Sequence, residues 1–249
     1  MRSRHPTYIF MAQIMLNCDL GENESLEQTE QLLALIDAAN IGCGYHAGSP
    51  DKTRASIERA LKYGVKIGAH PGLALEGGRG QALPTPTEFR DLLEEQIASF
   101  QSSAQALGTR ASYIKLHGSL YHAVETQPTL AAVYIEFLQQ QTPAIATFAL
   151  AAGQFARMAN KAGLCVLQEA FADRAYRPDG SLVPRVEQGA VLPHGEAQSR
   201  LKIWFQTGQI PSCCGQPITL SADTLCVHGD SPGALELIHD IRFALKSTK

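Results

Sequence analysis

The chain has 249 residues, 45% of them hydrophobic and 18% charged, with a formal net charge of −3. These proportions exclude a disordered chain, and a length of this order supplies a core without disulfides or a structural metal. Charges of both signs are interspersed with no Lys/Arg block, which excludes the basic footprint of nucleic-acid and anionic-lipid binders, and no run approaches the roughly 18 consecutive apolar residues of a membrane span.

Residues 1–13 carry two arginines and a short apolar run at 8–12, too short for the apolar region of a signal peptide. They read as a disordered leader before a single domain spanning 14–249, with the cytoplasm as the default compartment. Strand-length apolar runs then recur. Residues 14–18 lead into Asp19 and Glu22, 39–43 into His46, 65–69 into His70 and 112–116 into His117. Residues 145–150 end without an acid or histidine, 165–169 lead into Asp173 and Arg174, and 224–227 into His228 and Asp230. Each is closed by polar residues, Gly or Pro, as buried parallel strands are.

Helical periodicity fills the gaps: a weaker segment at 26–35, then 49–63 opened by Ser49-Pro50, 85–107 opened by Thr85-Pro86, 126–141, 153–162, 196–207, and a last helix from Ser231. Strands alternating with helices imply a parallel sheet with right-handed crossovers. Seven to eight such units in about 240 residues fit a TIM-like (β/α) barrel better than an open sheet. Two Gly/Pro-rich loops, 73–86 and 176–193, are placed to cover its mouth. Of the six cysteines, Cys18, Cys43, Cys165 and Cys226 lie in apolar runs and are expected to be buried, whereas Cys213-Cys214 sits in a turn and is expected to be exposed.

Residues just past the strand ends of a barrel converge on one mouth. That places Asp19, His46, His70, Lys115, His117, Asp173 and His228 together as candidate catalytic groups, with Glu22, Arg174 and Asp230 as candidates for holding substrate. No P-loop, nucleophile elbow or activated cysteine is found. Carboxylate, imidazole and ammonium remain, which suit activation of water and stabilisation of an oxyanion by Lys115 or a protonated histidine. A divalent metal on Asp19, His46 and His70 is chemically open but not signalled by spacing. Other readings stay open: Asp19 and Glu22 as a turn and helix-cap pair, Glu169 as a charge-paired residue inside the barrel, and Arg174 and Arg185 as anchors of the 176–193 loop. His122 reads as structural.

Six stretches together resemble the LamB/YcsF family, the A subunits of bacterial 5-oxoprolinase. They are Asn17-Cys18-Asp19-Leu20-Gly21-Glu22; Ala39-Asn40-Ile41-Gly42-Cys43-Gly44-Tyr45-His46-Ala47-Gly48; Ile67-Gly68-Ala69-His70-Pro71-Gly72; Lys115-Leu116-His117-Gly118-Ser119-Leu120-Tyr121; Phe171-Ala172-Asp173-Arg174-Ala175-Tyr176 with Leu182-Val183-Pro184-Arg185; and Ala222-Asp223-Thr224-Leu225-Cys226-Val227-His228-Gly229-Asp230-Ser231-Pro232-Gly233. The resemblance implies an irregular (β/α) barrel of the glycoside hydrolase/deacetylase type, and it adds Arg79 of the Gly-rich loop to the candidates for holding substrate. It also implies ATP-dependent opening of the 5-oxoproline lactam to glutamate, with ATP as co-substrate and separate B and C subunits for partners. Leu116 replaces the family's usual Pro, and the usual double Arg of the Gly-rich loop is reduced to Arg79. Two further readings compete: a stand-alone metal-dependent deacetylase or amidohydrolase, and a non-catalytic scaffold for B and C.

Overall fold

A computed structural model describes residues 14–80, 82–229, 231 and 233–247. The leader 1–13 and the candidate Asp230 lie outside the described residues. The strands are β1 (Met15–Leu20), β2 (Ala38–Gly42), β3 (Lys66–His70), β4 (Tyr113–Ile114), β5 (Ala146–Leu150), β6 (Val166–Phe171), β7 (Gln209–Pro211), β8 (Pro217–Thr219) and β9 (Thr224–Val227). Seven of them close a parallel barrel in the order β1-β2-β3-β4-β5-β6-β9. Strand β9 completes the ring by pairing in parallel with both β1 and β6. The antiparallel hairpin β7-β8 stands apart; it was not among the expected elements, and Cys213-Cys214 forms its turn.

The helices are α1 (Leu26–Leu33), α2 (Pro50–Lys62), α3 (Pro86–Gln105), α4 (Gly118–Thr126), α5 (Pro128–Gln139), α6 (Gln154–Lys161), α7 (His194–Thr207) and α8 (Ala234–Ser247). Their starts follow from local chemistry. Ser49 caps α2 by accepting from the Lys52 amide, with Pro50 in the first turn. Thr85 and Glu88 form a reciprocal capping box on α3. The main core lies between helices and barrel, where residues such as Leu16, Ile41, Ile57, Phe89, Ile114 and Leu225 are buried.

Side chains alternate along a strand, so every second residue faces the barrel axis. At the floor, Tyr113 stacks on Phe148 with centroids 4.0 Å apart, beside Ala38, Met15, Ala146 and Leu167. The Tyr113 ring takes the place where Gly68 would carry a Cβ, which would lie 2.0 Å from the ring. Above this lie Asn17, Asn40 and Thr224, joined by hydrogen bonds from Asn17 Nδ2 to Thr224 Oγ1 and from Asn40 Nδ2 to Asn17 Oδ1. Higher still come Asp19, Lys115, Glu169 and Cys226, and at the rim His70, His117, Phe171 and His228. The interior is therefore a packed stack of layers that turns from apolar to ionic toward the C-terminal ends of the strands, as in barrel enzymes.

Two expectations need correction. Strand β1 runs on to Leu20, so Asp19 points inward from within the strand rather than following it; its neighbours in β2 extend the pairing to Leu20↔Ile41. Cys165 is exposed, because β6 begins one residue later and its first half lies at the thinly covered lower rim. Cys18, Cys43 and Cys226 are buried, and Cys213 and Cys214 are exposed, as expected.

Candidate active site

The ionic layer centres on Lys115. Its Nζ lies 2.9 Å from Asp19 Oδ1, 3.0 Å from Glu169 Oε1 and 3.1 Å from Cys226 Sγ. Glu169 is therefore the charge-paired interior residue that the sequence left open. Burial works against a charged Lys115, but Asp19, Cys226 and Glu169 outweigh it and hold the ammonium well above its ordinary range. Burial raises the Glu169 carboxyl, with Lys115 opposing. Asp19 Oδ1 also accepts from Asn40 Nδ2 at 2.8 Å. Burial pushes Asp19 up, yet Lys115 and His70 hold it well below the usual carboxylate range. It is an ionised carboxylate with one oxygen pinned and the other turned to the rim.

At the rim three imidazoles meet. His46 stacks on His117 with centroids 4.0 Å apart, and His70 stands edge-on to both. Glu22 Oε1 lies 2.9 Å from His46 Nε2, 3.3 Å from His117 Nδ1 and 3.9 Å from His70 Nε2. Burial raises Glu22, but its hydrogen bonds with His117 and His46 more than reverse this. The turn-and-cap role considered for Asp19 and Glu22 belongs instead to Glu24, which accepts from the Gly21 and Glu22 amides, and to Ser25, the cap of α1. Burial lowers His70 to about 4, aided by His117 and Lys115 and opposed by Asp19. Burial also lowers His46. Gly78 covers this group at φ +58, and a Cβ there would lie 2.5 Å from His117 Cδ2; only glycine permits that close approach in the left-handed region.

A second pair sits across β6 and β9. Asp173 Oδ1 lies 2.9 Å from His228 Nδ1, and Asp173 Oδ2 accepts from Ser231 Oγ. The carboxylate fixes Nδ1 as the protonated nitrogen and leaves Nε2 to act as base. Burial pushes Asp173 up, but His228 and Ser231 bring it down to about 2.

A cavity of about 920 Å³ joins these groups. Asp19, His70, Lys115, His117 and His228 line it, and so do Arg79 and Arg185 from the two long loops and Arg174 from just past β6. Arg174 donates from Nε to the Ala190 carbonyl and from Nη2 to that of Val183, so it anchors the 176–193 loop while facing the cavity. His46 and Glu22 stand behind the lining.

Sequence reading passed over two contributors. His122, read as structural, lines the cavity; burial, then Arg174, Arg79 and Arg185, push it down to about 4. The available signal was the polar face of α4, where Ser119, His122 and Thr126 recur at helical spacing and all line the cavity. Asn40, which orients Asp19, was legible as a polar residue inside an otherwise apolar strand.

Residues 14–249 match the model of the LamB/YcsF family. The chain belongs to that family. Among its LamB/YcsF relatives, the A subunit of 5-oxoprolinase from Heliobacterium modesticaldum is 41% identical, over 94% of this chain and 95% of that one. The protein of the same name from Mycobacterium avium is 37% identical, over 95% and 96%. The solved "lactam utilization protein" of Thermus thermophilus superposes with a TM-score of 0.84 at 30% identity, covering 94% of this chain and 96% of that one. A GH113 β-1,4-mannanase shares the fold alone, at a TM-score of 0.53 and 10% identity, which agrees with the expected barrel.

Proposed function

We propose that this protein is the A subunit of a 5-oxoprolinase, hydrolysing the lactam of 5-oxo-L-proline to L-glutamate with B and C subunits in the cytoplasm. The observation that carries the reading is the end-to-end similarity to proteins named for the A subunit of 5-oxoprolinase. The site geometry supports it. A small lactam that carries a carboxylate needs a cationic wall to hold the carboxylate and a base near its carbonyl carbon. Arg79, Arg174 and Arg185 supply the first, and the rim carboxylates and histidines the second, within one cavity.

In this reading ATP transfers a phosphoryl group to the lactam oxygen, which makes the ring carbon open to attack. Water adds its hydroxyl to that carbon, the C–N bond breaks with a proton passing to nitrogen, and the acyl phosphate so formed takes up a second water, releasing phosphate as the glutamate carboxylate forms. His228, held by Asp173, takes the proton from water and later delivers one to nitrogen. Lys115 directs its ammonium to Asp19, Glu169 and Cys226, so it positions Asp19 rather than meeting the substrate oxygen. The ATP step belongs to the partner subunits, since the sequence carries no P-loop.

The test is glutamate formation from 5-oxoproline and ATP, with the chain alone and with B and C added. Glutamate in the full mixture, lost on His228→Ala, supports the reading. Glutamate from B and C without this chain, or undiminished by that variant, overturns it and favours the scaffold.

A further inference from the structure

Hydrogen bonds to two backbone carbonyls fix the tautomers of His70 and His117, and those tautomers leave a coordination site. His70 Nδ1 lies 2.7 Å from the Lys115 carbonyl oxygen. A carbonyl only accepts, so Nδ1 carries the proton and Nε2 is the bare nitrogen. His117 Nε2 lies 3.0 Å from the Gly77 carbonyl oxygen. By the same argument it is protonated, which leaves Nδ1 facing two acceptors, His70 Nε2 and, at 3.3 Å, Glu22 Oε1. Yet His70 Nε2 and His117 Nδ1 face each other at 2.9 Å. Two imidazole lone pairs at that distance repel unless a cation lies between them.

The surroundings select the cation. Asp19 Oδ1 is held by Lys115 and Asn40, while Oδ2 lies 3.5 Å from His70 Nε2. Three carboxylates, Asp19, Glu22 and Glu169, share this end of the barrel with the Lys115 ammonium, a setting that favours a cation. The spacing agrees as well. Ligand atoms at about 2.0–2.1 Å from a tetrahedral ion lie roughly 3.3 Å apart, and the edges of 2.9 and 3.5 Å bracket that value.

We propose that Asp19 Oδ2, His70 Nε2 and His117 Nδ1 form a binding site for a divalent ion of the zinc, cobalt or manganese kind. Each of these residues offers a ligand atom within 4.8 Å of those of the other two. Two imidazoles and one carboxylate leave a coordination position open, as catalytic rather than structural sites do. The carbonyls of Lys115 and Gly77 are the outer partners that such ligands require. Glu22, oriented by His46, borders the open side.

Two other groupings are spatially close and fail chemically. In the set of Glu22, His46 and His117, His46 Nε2 faces Glu22 at 2.9 Å and so carries its proton there. Its other nitrogen lies against Gly72, where a Cβ would be 2.6 Å away, and it does not point into the group. In the set of Asp19, Cys226 and His228, His228 keeps a bare Nε2 because Nδ1 is turned to Asp173, but Cys226 is a buried thiol taking a hydrogen bond from Lys115. The expected set of Asp19, His46 and His70 thus changes by one member, His117 replacing His46.

The test is ion uptake, measured apart from glutamate formation, so its failure leaves the oxoprolinase reading standing. Chelator-stripped full-length protein is titrated with Co²⁺, read by visible absorption, and with Zn²⁺, read by calorimetry. One equivalent per chain is expected, falling at least tenfold in affinity in His117→Ala and Asp19→Asn and unchanged in His122→Gln. If a ligand variant fails to fold, ¹⁵N-histidine NMR of the wild-type chain decides. Zinc is expected to shift His70 Nε2 and His117 Nδ1 alone. No uptake by folded wild type, uptake equal in all variants, or a His117 protonated on both nitrogens and unmoved by zinc overturns the proposal.

Discussion

The cavity is built from two unlike halves. The ionic layer stands on β1, β4, β6 and β9 and on the start of α4, where the Lys115 ammonium has three partners within about 3.1 Å and the backbone is locked in a closed ring. The arginine wall comes from loops 73–86 and 176–193 and from Arg174, just past β6, which backbone carbonyls of the 176–193 loop hold in place. The contrast teaches a division of labour. Groups that must hold reacting atoms within fractions of an ångström sit on rigid elements, and groups that select a ligand by charge tolerate loop placement.

Substitutions on each half sharpen that contrast. The largest effect is expected at Asp19: Asp19→Asn, nearly isosteric, lowers the rate of glutamate formation by about 10²–10⁴-fold in the complete complex, measured by coupled assay at saturating 5-oxoproline. Retention of more than a tenth of the rate would move the chemistry off the strands. Next comes Lys115→Met, which leaves Glu169 and Asp19 buried without their cation and destabilises the fold by about 3–5 kcal/mol in urea unfolding. A cost under about 1 kcal/mol would show that the barrel interior does not depend on this ammonium.

On the loop half, Arg79→Ala is expected to raise KM for 5-oxoproline by about 10–100-fold through loss of a charge-assisted hydrogen bond worth about 1.5–3 kcal/mol, with kcat within a few-fold. A fall in kcat at unchanged KM would erase the distinction between the halves. The smallest effect concerns pH. His122 is held at about 4 when folded, against roughly 6.5 unfolded. Between these values the unfolded chain binds more protons, so stability falls as pH drops from about 6.5 and the contribution is gone below about 4. His122→Gln should flatten this slope by on the order of 2 kcal/mol when urea unfolding is compared at pH 7.5 and 4.5. Equal slopes would place His122 in open solvent.

The same division explains what was legible in the chain. Strand-end residues announce themselves because each apolar run is short and closed by an acid, histidine or glycine, and seven such runs specify the ring. Asp19 was misplaced by one structural step because an apolar run ends in hydropathy before it ends in hydrogen bonding; Leu20 continues the ladder beyond the carboxylate. Glu169 reads as ambiguous in a sequence, since burial of a carboxylate becomes sensible only once Lys115 is seen 3.0 Å away on another strand. The hairpin β7-β8 escaped because its three-residue strands carry no periodicity long enough to detect. His122 escaped because its importance lies in three arginines brought from distant loops, a matter of tertiary placement that local pattern does not encode.

The stacked rings of Tyr113 and Phe148 carry a final consequence. With aromatic packing filling its floor, the barrel is a vessel with one working end, not a tunnel. Reactant and product must then share a doorway at the rim. Any partner seated over that doorway would set the tempo of turnover twice, once by admitting the lactam and again by withdrawing for the dicarboxylate to leave. Catalysis in such an assembly proceeds in strokes, and the lifetime of the docked state becomes a kinetic constant of the enzyme.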